Sequence, residues 1–217
     1  MFNLIVILSF SIVFPVVAGW IRYRRLTGDY RLFVWLMSLA LVNEMLSLMG
    51  IFVYGNAYIN YNLYTLICGI MSCYLLARWQ LSFNRKLLLY CSLILSCAWV
   101  AEWLWLKTMQ RYFSYTVIFS SYLIAFLCVF ILGERLVRVG YRVRRDPVIL
   151  LSAGMIFSFL CAAVGELLWV YGVGNNPSFS AKVQLVVCSV LSFSNLLYFI
   201  AIIWAPPSIR YLLQSSS

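Results

Sequence analysis

Three glutamates, Glu44, Glu102 and Glu166, lie inside long apolar segments of the sequence, and an alanine precedes each of them by four residues. A carboxylate exposed to lipid is costly, so an acid at membrane depth faces other helices or a water-filled cavity. Such acids mark ion paths, proton paths and ligand sites. The three glutamates therefore predict a polar cavity that binds a proton, a cation or a small ligand.

The composition places the chain in a bilayer. Hydrophobic residues make up 65% of the 217 residues and charged residues 10%, and the mean hydropathy is +0.95. A spanning helix needs about 20 mostly apolar residues. Seven stretches meet this requirement, at roughly 2–20, 32–53, 60–77, 87–106, 112–132, 148–171 and 183–205. We predict an all-α, polytopic membrane protein in which residues 1–217 form one domain of seven transmembrane helices.

The lysines and arginines predict the orientation of the helices. Three basic residues lie on one side of the predicted bundle, namely Lys107, Arg111 and Lys182. The other 13 lie in the first, third and fifth connections and in the C-terminal tail: Arg22, Arg24, Arg25, Arg31, Arg78, Arg85, Lys86, Arg135, Arg138, Arg142, Arg144, Arg145 and Arg210. This asymmetry predicts an N-terminus outside and a C-terminus in the cytoplasm. We expect a multi-pass protein of the cell membrane, specifically a bacterial inner membrane.

The residue types present argue against several kinds of site. Histidine is absent, which removes the usual ligand of soft metals and haem and the commonest general base. The seven cysteines fall within predicted helices and form no CxxC pair, so we expect neither a metal nor another cofactor. The net charge of +10 belongs to residues that flank the helices. It therefore favours anionic lipid headgroups, not nucleic acid, as the partner.

Aromatic residues, which make up 18% of the chain, concentrate near the predicted helix ends. We interpret them as belts at the two membrane interfaces, since a cofactor cage is the less economical explanation. The predicted outer belt consists of Tyr54, Tyr58, Tyr61, Tyr64, Trp103, Trp105, Tyr112, Trp169 and Tyr171.

Helical depth selects a central polar cluster. At about 1.5 Å per residue, Glu44 lies roughly 13 Å below the outer end of the second helix, and Asn195 of the seventh helix lies within one turn of that depth. Asn43, Glu44 and Asn195 therefore form the predicted centre of the site. Further polar residues of the seventh and third helices are expected to line the same cavity: Gln184, Cys188, Ser192 and Thr65. The alternative is that these groups serve only as hydrogen bonds between helices.

Glu102 and Glu166 lie nearer the outer boundary, roughly 6 to 8 Å down. They are candidate proton or cation ligands at the mouth of the cavity. Salt bridges to Lys107, Arg111 or Lys182 at the rim would explain both acids without any ligand.

A stripe of small residues in the sixth helix, Gly154, Ser158 and Ala162, leads to Glu166 at four-residue spacing. Small residues let membrane helices approach closely. The stripe therefore predicts a packed face that turns Glu166 toward the interior. The alanines before Glu44 and Glu102 indicate the same orientation.

The second and sixth helices end in similar sequences, IFVYG at 51–55 and LWVYG at 168–172. The similarity predicts two parallel three-helix units with the fourth helix as a linker. This 3+1+3 layout resembles the sugar and PQ-loop transporters, which implies a site between the halves, and more loosely the rhodopsin-like heptahelical proteins. A Pro-Gln dipeptide is absent. Lys182, the only lysine in the seventh helix, lies at its mouth, so we expect no retinal.

The run Asn62-Leu63-Tyr64 at the start of the third helix, together with Glu44, is similar to uncharacterised bacterial seven-helix integral membrane proteins. The resemblance extends over the whole chain. It implies a seven-helix membrane fold and no particular activity.

Three classes of function follow from these features. The first is a small transporter or permeation module in which Glu44 binds a proton, cation or small ligand from an outward-facing cavity. The second is a receptor-like sensor that signals through a cytoplasmic protein partner at the basic loops. The third is a membrane-embedded enzyme that uses the carboxylates as acid and base. We rank the enzyme last, since the sequence offers neither histidine nor a metal-ligand cluster.

Overall fold

The computed structural model describes residues 2–79, 85–139, 146–171 and 177–207. The helices in chain order are α1 (Phe2–Ser9), a 3-10 turn (Phe10–Ile12), α2 (Val13–Ile21), α3 (Gly28–Tyr54), α4 (Tyr58–Trp79), α5 (Arg85–Leu106), α6 (Ser114–Val139), α7 (Pro147–Val170) and α8 (Pro177–Trp204). α1, the turn and α2 together form the first of seven stretches that are long and apolar enough to cross a membrane. Within the described residues, the predicted all-α fold is therefore confirmed, with seven helices that are long and apolar enough to span a membrane.

Two helix ends differ most from the sequence prediction. α6 continues past residue 132 to Val139, and α8 begins at Pro177, well before residue 183. The extension of α6 contains Glu134 and Arg135, residue types that end a hydrophobic stretch but favour a helix. Proline is well suited to the first position of a helix because its missing amide hydrogen is not needed there.

Six of the spans form a closed ring, and the fourth lies outside it. The first span packs on α3, α3 on α4, α4 on α6, α6 on α7 and α7 on α8, and α8 returns to the first span. α5 packs only on α4 and α6 among the described helices with extensive contacts. It is also the least buried span, with 17% of its apolar window buried, against 50% for α6.

The ring has two different ends. We call the end that carries Phe2 and the connections at 55–57 and 107–113 the amino-terminal end, and the opposite one the arginine-rich end. Phe33 of α3 crosses the interior, with its ring centroid 5.1 Å from that of Tyr198 in α8 and 6.1 Å from that of Trp79 in α4. Other fully buried side chains fill the same half of the ring: Leu75, Leu76, Leu151 and Ile202. The arginine-rich half is thus closed by apolar packing.

Gly154 of α7 makes room for the ring of Tyr198 in α8. A Cβ atom at Gly154 would lie 2.5 Å from Cε1 of Tyr198, a distance at which the ring could not stay in place. One turn further along, the Ser158 hydroxyl lies 3.1 Å from the Tyr198 hydroxyl. The predicted close packing of this small-residue stripe is therefore observed, with Tyr198 as its counterpart.

Arginines close the C-terminal ends of helices at the arginine-rich end. Arg22 donates to the carbonyls of Ile202 and Ala205, at 2.9 and 3.2 Å, where α8 ends. Arg135 donates to the carbonyl of Trp79, the last residue of α4, at 2.8 Å. The last carbonyls of a helix lack intrahelical donors and carry partial negative charge. These arginines therefore stabilise the helix ends.

Two more arginines of this end make contacts within the chain. Arg31 donates to the carbonyls of Tyr23 and Arg24, both at 3.1 Å, and Nε of Arg78 lies 2.7 Å from a carboxylate oxygen of Asp29. Four other arginines of the predicted cytoplasmic side lie outside the described residues, namely Arg142, Arg144, Arg145 and Arg210.

Candidate functional site

Glu44 is a half-buried acid of α3 without a direct partner among the described residues. Its side chain acts electrostatically on Tyr61 and Tyr64 of α4 and on Cys188 of α8. Within the described ranges, neither a hydrogen-bond donor nor a basic side chain contacts its carboxylate. A charged group held in this way is costly, so it is expected to bind a proton or another ligand.

Glu44 lies closer to the end of the ring than its position along α3 predicts. Asn60, in the first turn of α4, donates to Oδ1 of Asn43 at 2.9 Å and to the hydroxyl of Ser47 at 2.8 Å. The start of α4 is therefore level with Glu44, and the last turns of α3 project beyond it. The predicted 13 Å depth overstated the burial because it was measured from the end of a protruding helix.

The predicted central cluster does not form. Measured along their helices from the arginine-rich end, Glu44 lies about 24 Å from Gly28, but Asn195 only about 14 Å from Trp204. The two side chains are thus about two helical turns apart in height. The error arose because α8 begins at Pro177, so the depth of Asn195 had been counted from a start that was too late.

Asn195 instead belongs to a polar contact between α8 and the first span. Its amide donates to the hydroxyl of Ser11 at 2.8 Å, and Ser11 donates to Ser192 at 3.2 Å. The Ser192 hydroxyl lies 2.9 Å from the carbonyls of Leu8 and Cys188. These bonds hold the first span against α8 around the 3-10 turn, which agrees with the alternative that the group serves as interhelical hydrogen bonds.

Two further predicted lining residues have local partners. The exposed side chain of Gln184 lies 3.8 Å from the sulfur of Cys188, one turn along α8. The hydroxyl of Thr65 donates to the carbonyl of Tyr61, one turn back in α4, at 2.9 Å. Among the described residues, neither side chain is hydrogen-bonded to Glu44.

Glu102 caps a helix. Its two carboxylate oxygens accept hydrogen bonds from the backbone amides of Tyr115 and Thr116, at 3.2 and 2.6 Å, in the first turn of α6. These amides have no acceptor within their own helix, and the start of a helix favours negative charge. The predicted salt bridge at the rim is not formed by Glu102 within the described residues, because backbone amides take the place of a basic side chain.

Glu166 is held by two hydroxyl groups. Tyr112, in the connection before α6, and Ser114, its first residue, both hydrogen-bond the Glu166 carboxylate. Burial raises the pKa of Tyr112, and the charge of Glu166 raises it further. Tyr112 therefore stays protonated and remains a donor. Glu166 thus has partners of its own and forms no ion pair within the described part of the chain.

Asn62 was not recognised as a site residue from the sequence, yet it holds the whole connection between α5 and α6. Its fully buried amide group donates to the carbonyls of Met109 and Arg111, at 3.3 and 2.8 Å, and accepts from the amide of Phe113 at 3.0 Å. Its own carbonyl accepts from the indole of Trp99 at 2.9 Å. The only sequence signal was its polarity at the start of a membrane helix.

This connection brings Tyr112 against two tyrosines of α4. The ring of Tyr112 lies 6.0 Å from that of Tyr61, at an interplanar angle of 86°. It lies 6.3 Å from that of Tyr58, at 51°. We call these three residues the tyrosine cluster. It lies at the amino-terminal end, with Glu44 beside Tyr61 and Glu166 bonded to Tyr112.

A shallow groove lies between α4 and α5. It has a volume of about 390 Å³ and is lined by Ile70, Leu89, Tyr90, Ser92, Leu93 and Ser96. It opens on the outer surface of the ring, away from the glutamates, where lipid chains would contact it. Among the described residues, no group of three or more histidine, cysteine or acidic side chains is placed to hold a metal ion.

The three glutamates therefore have different roles in the structure. Glu102 caps α6, Glu166 accepts from two hydroxyl groups, and Glu44 alone has an uncommitted carboxylate among the described residues. It acts electrostatically on residues of both halves of the chain, namely Tyr61 and Tyr64 in the first half and Cys188 in the second. In comparisons with known proteins, no family model, curated protein or solved structure matches this chain.

Proposed function

We propose that the chain is a small membrane transporter or permeation module in which Glu44 binds a proton, a cation or a small cationic ligand. The observation that carries the proposal is the carboxylate of Glu44, which lies within a spanning helix and has no direct partner among the described residues. Acids in this situation are rare unless a ligand or a proton compensates them.

The arrangement of the spans supports a transporter built from two halves. Glu44 and Tyr61 belong to the first three spans, whereas Tyr112 and Glu166 belong to the part of the chain that follows the fourth. The fourth span, α5, lies outside the ring, as expected of a linker between two three-helix units. In transporters with parallel repeats, the substrate site lies where the repeats meet.

In this proposal the arginine-rich end faces the cytoplasm of a bacterium, and the ligand reaches Glu44 from outside. Cysteine labelling tests the orientation. An impermeant maleimide added to intact cells should label Gln110→Cys, in the α5–α6 connection, and leave Arg24→Cys unlabelled until the membrane is opened. The reverse pattern would place the glutamates on the cytoplasmic side and refute the proposed direction of entry.

A flux assay tests transport. The full chain is reconstituted into liposomes, and proton, sodium and potassium fluxes are recorded with entrapped dyes. We expect a flux that Glu44→Gln abolishes, because the neutral amide cannot exchange a proton or balance a cation. Glu102→Gln is the matched control, since that acid caps α6 at the same end. Transport of these three ions is refuted if none of them shows a flux, or if both variants reduce the flux equally.

A receptor-like sensor is the second candidate, favoured by the closed arginine-rich half of the ring. Phe33, Trp79 and Tyr198 block the interior below Glu44, so a ligand could bind there without passing through. A sensor of this kind would signal through a cytoplasmic protein partner at the basic loops. Pull-down from solubilised membranes with the native chain, and with Arg142, Arg144 and Arg145 changed to Gln, tests this function. Recovery of no partner by the native chain would count against sensing.

A further inference from the structure

The tyrosine cluster has the ring geometry of a cation site. The rings of Tyr61 and Tyr112 are almost perpendicular, at 86° and 6.0 Å between centroids, so they form two walls of a corner. Tyr58 adds a third ring at 51° to Tyr112 and is 42% exposed, which leaves the corner open toward the amino-terminal end. Aromatic faces attract cations through the negative charge of their π-systems.

Two of these tyrosines differ from the interfacial tyrosines nearby. Tyr54 and Tyr115 are 80% and 69% exposed, as expected of residues in a membrane belt. Tyr61 and Tyr112 are half-buried and face each other. The sequence-based interpretation of all outer aromatic residues as anchors therefore does not hold for this pair.

Asn62 fixes the positions of the two rings. It follows Tyr61 directly in α4, and its side chain bonds the residues on both sides of Tyr112, at the Arg111 carbonyl and the Phe113 amide. The hydroxyl of Tyr61 is hydrogen-bonded by Ser47, and that of Tyr112 by Glu166. Both rings are thus held in place before any ligand arrives, which reduces the ordering cost of binding.

Negative charge lies on both sides of the rings. Glu44 acts electrostatically on Tyr61, and Glu166 is bonded to Tyr112. A small inorganic cation would need several oxygen ligands at once. Among the described residues, the site has one carboxylate without a direct partner, and aromatic rings lie near it. This arrangement suits a weakly hydrated organic cation better than a small inorganic one.

We propose that the ligand of Glu44 is an organic ammonium ion, held by the Glu44 carboxylate and by the ring faces of Tyr61, Tyr112 and Tyr58. This inference deepens the proposed function and rests on it, because it uses the same carboxylate. The ammonium group would be partly dehydrated in the corner between the rings, and its charge would be neutralised by Glu44.

Calorimetry tests the ligand class directly. The purified full chain in lipid nanodiscs is titrated with tetramethylammonium chloride, and with sodium and potassium chloride as references. We expect saturable binding of tetramethylammonium that is at least tenfold tighter than that of either inorganic ion. Glu44→Gln should weaken it at least tenfold, whereas Tyr54→Leu, at an exposed ring of the same end, should leave it unchanged. Equal binding of all three ions, or no binding to the native chain, would overturn the proposal.

Fluorinated side chains separate a cation–ring contact from a role in folding. Tyr61→Phe keeps the ring and should bind within about threefold of the native chain. Phenylalanines carrying one, two or three fluorines at position 61 keep the shape while withdrawing charge from the ring face. We expect the affinity for tetramethylammonium to fall with each fluorine. An affinity independent of fluorination would exclude Tyr61 as a wall of the site.

The two proposals fail in different ways. Tetramethylammonium binding without any Glu44-dependent flux would refute transport and leave the ammonium site standing. A Glu44-dependent proton or sodium flux with no binding of tetramethylammonium would refute the ammonium site and leave transport standing.

Discussion

Asn62→Ala should allow the connection between α5 and α6 to open locally while the rest of the chain stays folded. The Asn62 side chain makes three hydrogen bonds, to the carbonyls of Met109 and Arg111 and from the amide of Phe113. Alanine removes all of them, but it keeps the backbone carbonyl that accepts from Trp99. The loss is therefore concentrated in residues 107–113.

The size of the effect follows from the burial of these groups. A hydrogen bond contributes about 0.5 to 1.5 kcal/mol net, and a buried amide left without a partner costs about 1 to 3 kcal/mol. The Phe113 side chain is fully buried, so water has little access to the amide that loses Asn62. The free energy of opening the connection should thus fall by about 2 to 4 kcal/mol. At about 1.4 kcal/mol per factor of ten, the open population rises roughly 30- to 700-fold.

Limited trypsin digestion measures this opening. Lys107 and Arg111 are exposed but lie in a connection that is held closed. When opening is fast relative to cleavage, the rate of proteolysis follows the population of the open form. The Asn62→Ala chain should therefore be cut after these two residues faster than the native chain by the factor given above, as identified by mass spectrometry of the fragments.

Asn60→Ala is the matched control, because it removes another asparagine from the start of α4, one that bonds Asn43 and Ser47 instead. It should weaken the contact between α3 and α4 without accelerating cleavage after Lys107 or Arg111. If Asn62→Ala is folded and is cut no faster than the native chain, the assignment of Asn62 as the clamp is wrong.

Three further changes test the packing and the helix ends by thermal unfolding in detergent. Gly154→Val should destabilise the chain by about 1 to 3 kcal/mol, because the added side chain would clash with the ring of Tyr198. Gly133→Ala is the control and should be neutral or stabilising, because a Cβ there meets nothing within 4 Å. Equal losses of stability in the two variants would contradict the packing of α7 on α8. Arg22→Gln should lower the melting temperature, because it removes the hydrogen bonds from Arg22 to the last carbonyls of α8. Arg24→Gln, at an exposed residue nearby, should leave the melting temperature unchanged. Equal shifts in the two variants would contradict the role of Arg22 at the end of α8. Glu102→Gln should cost about 1 kcal/mol as a weakened cap of α6, and an unchanged stability would contradict that role.

The number and approximate positions of the spanning helices could be predicted because they depend on the length of apolar stretches. All seven predicted segments coincide with helices of the structure. The ends were predicted less well. Pro177 starts α8, and polar residues extend α6 to Val139, although hydrophobicity gives no reason to expect a helix there.

The site was harder to predict, since it depends on the relative heights of helices that are distant in sequence. Sequence spacing correctly placed Gly154 and Ser158 on a packed face, because one helix determines that pattern. It could not show that Glu102 reaches the amides of α6, or that Asn195 bonds the first span. Those contacts follow from how the helices are offset along their axes.

The central claim is that Glu44 is an uncommitted carboxylate that binds the ligand. Infrared difference spectroscopy with isotope-labelled glutamate tests it directly, by recording the carboxylate bands of the reconstituted chain before and after tetramethylammonium is added. We predict a ligand-induced change in a glutamate band. This change should be absent in Glu44→Gln and present in Glu102→Gln. A difference spectrum that is the same in Glu44→Gln as in the native chain would contradict it.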